Sequence, residues 1–153
     1  MGDIRIQTKN SLLGRNIDRE HFQLSQEDKL IMNEFRSAEF TNCKLFTKDL
    51  LQFKLTILWL WNSEFNMKYL AFNNFWSLKL FLCFKCGVTD FSPLGDCIHM
   101  VGMIIFDDFT SLSFIEKMQE LQGIQLGSDK IFDSKELKYL MGKPQLSSVF
   151  LVF

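Results

Sequence analysis

The sequence predicts an α/β solenoid, with short parallel strands on one side and turns or short helices returning on the other. Three observations predict it. An apolar spacing of 0, +3, +5, with a small or polar residue near +8, recurs from first positions at residues 35, 55, 78, 100, 121 and 146. A near-constant period of this length marks a stacked-repeat architecture. Turn and helix-start signals fill the intervals between recurrences. The third observation is composition: 153 residues, 47% apolar and a net charge of −1 suit one packed domain and not a disordered tail.

Taken in order, residues 1–34 lie before the first recurrence and are expected to form an N-terminal cap, because a solenoid end needs a polar-faced cover. Ser25-Gln26-Glu27-Asp28 can start a short helix reaching Asn33, with Leu30 and Ile31 as its apolar residues. Residues 35–153 carry five full repeats and a terminal strand. The spacing fits Phe35, Ala38, Phe40, Cys43, Leu45, then Leu55, Leu58, Leu60, Ser63, Phe65, then Leu78, Phe81, Cys83, Cys86, Val88. It continues through Met100, Met103, Ile105, Asp108, with Phe109 one place early, then Leu121, Ile124, Leu126, Asp129, Ile131, and ends on Leu146, Val149, Leu151. Ala38 to Phe46 can also be read as two pentapeptide units, a pattern that stops at Lys48-Asp49.

The intervals predict returning helices. Ser113 to Glu116 and Asp133 to Glu136 both have the form of a capping box. Behind them Ile115 and Met118, and Leu137 and Leu140, would face inward, and Gly142 and Pro144 would end the second helix. Ser92-Pro93 puts proline at a helix start, with Leu94 and Cys97 behind it; Phe72 and Phe75 take the same places one repeat earlier. The stretches Val88 to Leu94 and Phe109 to Ile115 repeat the same pattern 21 residues apart.

Leu121, Ile124, Leu126, Asp129 and Ile131 trace an LxxLxLxxNxL motif with aspartate in the asparagine place. Together with Val88-Thr89-Asp90-Phe91-Ser92-Pro93-Leu94, this resembles the leucine-rich repeat family, in its 21- to 22-residue internalin-like and phosphatase-regulator-like form. The resemblance covers residues 35–153 and implies a parallel-strand solenoid, with a bacterial effector, immunity or adhesin-type role as its analogy. Phe, Met and Cys often replace Leu. The asparagine column reads Cys43, Ser63, Cys86, Asp108 and Asp129, so a regular asparagine ladder is not expected.

Alternation along a strand sends +3 and +5 into the core and +2, +4 and +6 onto the opposite, concave face. In the second to fourth repeats those outward positions are apolar: Ile57, Trp59, Trp61, Leu80, Leu82, Phe84, Ile104 and Phe106, with Gly102 the exception. Large aromatic side chains on an outer face mark a binding surface, so these eight residues are the expected site for a protein or peptide partner. The chain's own N-terminal segment and a second copy are the other occupants compatible with the pattern. The apolar terminal strand, Leu146 to Phe153, points to self-association or to an array that continues.

Other functional classes find less support. Seventeen basic against eighteen acidic residues argue against a nucleic-acid partner. No secretory leader or apolar run of membrane-spanning length is visible, the best run being Leu55 to Trp61, so a cytoplasmic protein with no membrane partner is expected. His21 and His99 stand apart, Asp107-Asp108 falls in a repeat turn as a solvated pair, and no phosphate-binding motif occurs, so no enzyme is predicted. Cys83-Phe84-Lys85-Cys86 matches CxxC. Its alternative function is thiol redox chemistry or metal binding, but zinc needs further ligands and no second CxxC follows; Cys97-Ile98-His99 is the other cluster, oddly spaced. The repeat gives both cysteines a simpler place, Cys83 in the core and Cys86 in the turn, reduced and without metal or cofactor.

Overall fold

A computed structural model describes residues 3–8, 11–15, 36–45, 54–65, 67, 77–130 and 133–152. Its strands in chain order are β1 (Asp3–Thr8), β2 (Ser11–Arg15), β3 (Ser37–Thr41), β4 (Lys44–Leu45), β5 (Ile57–Trp61), β6 (Glu64–Phe65), β7 (Leu80–Phe84), β8 (Gly102–Phe106), β9 (Gly123–Gly127) and β10 (Ser148–Val152). Six of these, β3, β5, β7, β8, β9 and β10, occupy positions +2 to +6 of the six recurrences. They pair in parallel and in register, so Ala38, Leu58, Phe81, Met103, Ile124 and Val149 stand side by side across the sheet. The strand-to-strand hydrogen bonds of these six run from one repeat to the next, as a stacked array requires.

The chain N-terminal to the first repeat adds two strands that the sequence pattern did not announce. β1 and β2 form an antiparallel hairpin, and β2 joins β3 in parallel, giving one eight-stranded sheet. The expected helix at residues 25–33, together with His21, Phe35, Phe72 and Phe75, lies outside the described residues. β3 pairs with β5 twenty residues on, so Ala38 to Leu45 follows the long period. β4 and β6 make a separate two-stranded ribbon beyond the turns.

The core lies on one side of the sheet. Leu55, Leu58, Leu60, Leu78, Phe81, Cys83, Met100, Ile105, Leu121 and Leu126 are sealed from solvent, each large apolar side chain contributing about 1.5–3 kcal/mol. The 21-residue repeat pair is matched column by column: Phe91 with Leu112, Leu94 with Ile115, and Cys97 with Met118 are all buried. The Phe91 and Phe114 rings pack 5.9 Å apart between the two returning segments.

Those segments are short 3-10 turns, Ser92–Asp96, Ser113–Ile115 and Ser134–Tyr139, in keeping with the turns or short helices expected, though not with both expected capping boxes. Ser113 forms no cap: it is the first residue of its turn, Leu112 takes the capping place without a side-chain bond of its own, and the Ser113 N–H donates to the Ser111 hydroxyl (3.1 Å). The Leu112 N–H instead donates to Glu136 of the next repeat (2.8 Å), as does the Ser111 hydroxyl (2.7 Å). Asp133 does cap its turn, accepting from the Lys135 N–H at 2.9 Å, but with Glu136 turned to the neighbouring repeat the reciprocal half of the box is not made. A turn of three to six residues stacks on its neighbour more than it stabilises itself. Gly142 follows the last turn at φ +75°, the left-handed geometry that glycine adopts without steric cost.

Candidate functional site

Each outward-facing residue expected from the pattern lies on the sheet face opposite the core. Ile57, Trp61, Leu82, Phe84, Ile104 and Phe106 are half-buried there, while Trp59 and Leu80 are about 40% exposed. The parallel register brings Trp61, Phe84 and Phe106 into one row. The Trp61 and Phe84 rings are 5.2 Å apart and the Phe84 and Phe106 rings 5.5 Å, both tilted by 41–46°. The spacing is that of the strands, about 4.8 Å, so the backbone ladder sets the row. Phe106 lies over Gly127, where an added Cβ would meet its ring at 2.5 Å. The glycine thus makes room for the ring to cross the next strand.

A second feature on this face escaped the sequence pattern. Gly102 and Gly123 occupy the +2 positions of neighbouring strands and leave a depression of roughly 350 Å³. Leu80, Leu82 and Trp59 wall it on one side and Ser148 and Phe150 on the other, with Ile104 and Gln125 in the floor. Leu80 leans over Gly102, where an added Cβ would stand 3.1 Å from a leucine methyl. Two adjacent glycines in a column otherwise filled by Ile57 and Leu80 were the available signal. The site is therefore an aromatic row along one margin and an apolar groove beside it.

The turns following the strands hold a polar ladder. Cys43 donates its N–H to the Ser63 hydroxyl (3.1 Å), and Cys86 donates its N–H to Asp107 (3.0 Å). Cys43, Ser63, Cys86 and Asp107 thus follow one another down the stack, with Ser63 and Asp107 accepting from turn amides of the preceding repeat. The fourth rung is Asp107 and not Asp108, and Asp107 is buried, so the expected solvated Asp107-Asp108 pair is corrected. In the first three repeats a left-handed residue, Asn42, Asn62 or Lys85, separates the strand from the ladder residue. The fourth lacks it. Asp107 follows Phe106 directly, and Asp108 turns outward to Lys130 (3.0 Å) and Ser128 (3.0 Å), which hold its carboxyl below the usual range.

Asp107 gathers the CxxC pair. One carboxylate oxygen accepts from the Gly87 N–H (2.8 Å); the other accepts from the Cys86 N–H and from the Cys83 thiol at 3.2 Å. The two sulfurs and a carboxylate oxygen lie within 4.8 Å of one another. The neighbouring Cys83 thiol holds the Cys86 thiol below its ordinary pKa, against a smaller opposing effect of burial. The nearby Cys86 thiol, followed by burial, pushes the Cys83 thiol up. Cys83 is buried and Cys86 half-buried in the turn, both as free thiols. Cys97 lies apart under the Ser92–Asp96 turn, its pKa pushed up to about 12 by burial, and His99 pairs with Glu120 at 2.7 Å.

An in-register parallel sheet, one strand per 20–25 residues, short returning turns and a cross-repeat polar ladder define a leucine-rich repeat solenoid. Comparison with solved structures agrees. Internalin C2 from Listeria monocytogenes str. 4b F2365 superposes with a TM-score of 0.65 at 18% identity, over 92% of this chain. The match spans 60% of the length of that protein. No protein-family model matches the sequence, and no curated protein does. Among the described residues, no helix is long and apolar enough to cross a membrane.

Proposed function

We propose that the chain is a non-catalytic interaction module that holds a protein or peptide partner on the face of the sheet opposite the core. One observation supports the reading: Trp59, Trp61, Leu80, Leu82, Phe84, Ile104 and Phe106 occupy the outward positions of three neighbouring strands, with Trp59 and Leu80 the most exposed, where a solvated sheet would be polar. Tryptophan and its aromatic neighbours are the side chains most often found at binding hot spots. The balanced charge favours a protein partner over a nucleic acid, and a cytoplasmic setting suits four free thiols. The likeness to an internalin supports a protein-binding role for this fold in general.

The test is affinity capture with the full chain, followed by titration of the captured partner against face variants. Trp61→Ala should weaken binding by about 2 kcal/mol or more, while Lys79→Ala, with its side chain off this face, should leave it unchanged. A partner held equally by Trp61→Ala and Phe84→Ala would contradict the reading. Light scattering of the same samples tests the second occupant: an assembly of wild-type chains that dissolves in Phe150→Lys would point to a second copy seated along β10.

A further inference from the structure

Outside the proposed binding face, the strongest concentration of chemistry is the turn where β7 and β8 end. The CxxC spacing supplies two soft ligands and no more. Folding brings a third from the next repeat, because the missing left-handed residue after Phe106 turns Asp107 inward onto the cysteines. We propose that Cys83, Cys86 and Asp107 form a binding site for a thiophilic divalent cation, with zinc as its natural occupant.

The geometry carries the assignment. Around a tetrahedral zinc with Zn–S near 2.3 Å and Zn–O near 2.1 Å, two sulfurs stand about 3.8 Å apart and sulfur and oxygen about 3.6 Å. Cys83 Sγ and Asp107 Oδ2 are already 3.2 Å apart, and all three ligand atoms lie within 4.8 Å. Closing on a cation therefore takes shifts of an ångström or less. The backbone is prepared for it as well. The Cys86 and Gly87 N–H groups fix the carboxylate, outer contacts that orient a ligand. On binding, the thiol protons leave to solvent and the cation takes their place between the two sulfurs and the carboxylate. A fourth position remains for water or a partner side chain, as in zinc sites with three protein ligands. A pocket of roughly 300 Å³ lined by Gly87, Thr89 and Asp107 opens beside it.

The probe is cobalt(II), titrated into the full chain, fully reduced and stripped with chelator. One equivalent should produce a thiolate-to-cobalt charge-transfer absorption with the visible bands of a tetrahedral ion, and zinc should abolish both. Cys86→Ser should lose the signal, whereas Cys97→Ser should keep it. Asp107→Asn retains an oxygen acceptor for one of the two turn amides and should bind at least tenfold more weakly while circular dichroism shows it folded. Absence of the absorption at one equivalent in a chain with four titratable thiols would overturn the proposal, as would an absorption that survives in Cys86→Ser or an unchanged affinity in Asp107→Asn.

Discussion

β5 and β10 carry the same alternation, apolar residues at +3 and +5 of their repeats, and meet different fates. In β5, Leu58 and Leu60 are wholly buried between neighbouring strands. In β10, Val149 is 46% exposed and Leu151 only partly covered, while on the other face Phe150 and Val152 stand out at 59% and 44%. The local sequence is equally apolar in both. What differs is the number of packed neighbours, since β5 has a strand on each side and β10 has only β9 among the described residues. Burial in this fold belongs to the interface between repeats and not to the repeat, which is the nearest-neighbour energetics of a solenoid.

The comparison can be broken or sharpened by substitution. The largest effect is expected from Leu60→Ala, which opens a cavity between two stacked repeats and should cost roughly 2–5 kcal/mol in denaturant unfolding. Asp107→Ala comes next. It strands the Cys86 and Gly87 amides in a part-buried turn, for about 2 kcal/mol, and Asp107→Asn, which keeps an acceptor for one of the two, should recover only part of that loss. Leu151→Ala should be the mildest, below about 1 kcal/mol, because a partly covered side chain leaves little cavity. Equal losses for Leu60→Ala and Leu151→Ala would show that the terminal strand is buried in solution by a further contact, and self-association along β10 would then be the first explanation to examine.

The strands were legible residue by residue because their signal is local: a two-residue alternation, repeated at a period set by the length of each return. Leu58, Leu60, Phe81, Cys83, Met103 and Ile105 all point where the spacing sends them. In the returns the capping was over-read. Ser113 and Glu116 have the chemistry of a capping box, but a three-residue turn leaves no helix to cap, and the neighbouring repeat supplies Glu136 instead. The fourth ladder residue was misplaced by one because deletion of a left-handed residue shifts the inward direction from Asp108 to Asp107, and a fixed +8 count cannot register that. The groove at Gly102 and Gly123 is a void. Its walls come from Leu80 and Phe150, 70 residues apart in the chain, so a single strand read alone gives no sign of it. The third member of the cysteine cluster was hidden for the same reason, since Asp107 lies one repeat beyond Cys86.

The central claim is that adjacent residues of one strand do opposite work, Leu60 holding the repeats together and Trp59, at 41% exposure, presenting a surface. Thermal unfolding of Leu60→Ala and Trp59→Ala, side by side with the parent chain, tests it most directly. For a chain of this size each kcal/mol moves the midpoint by about 2–4 °C. Leu60→Ala should therefore fall by roughly 4–20 °C, and Trp59→Ala should stay within about 3 °C of the parent. If Trp59→Ala melts as low as Leu60→Ala, the tryptophan is part of the core, and both the face assignment and the binding function built on it are contradicted.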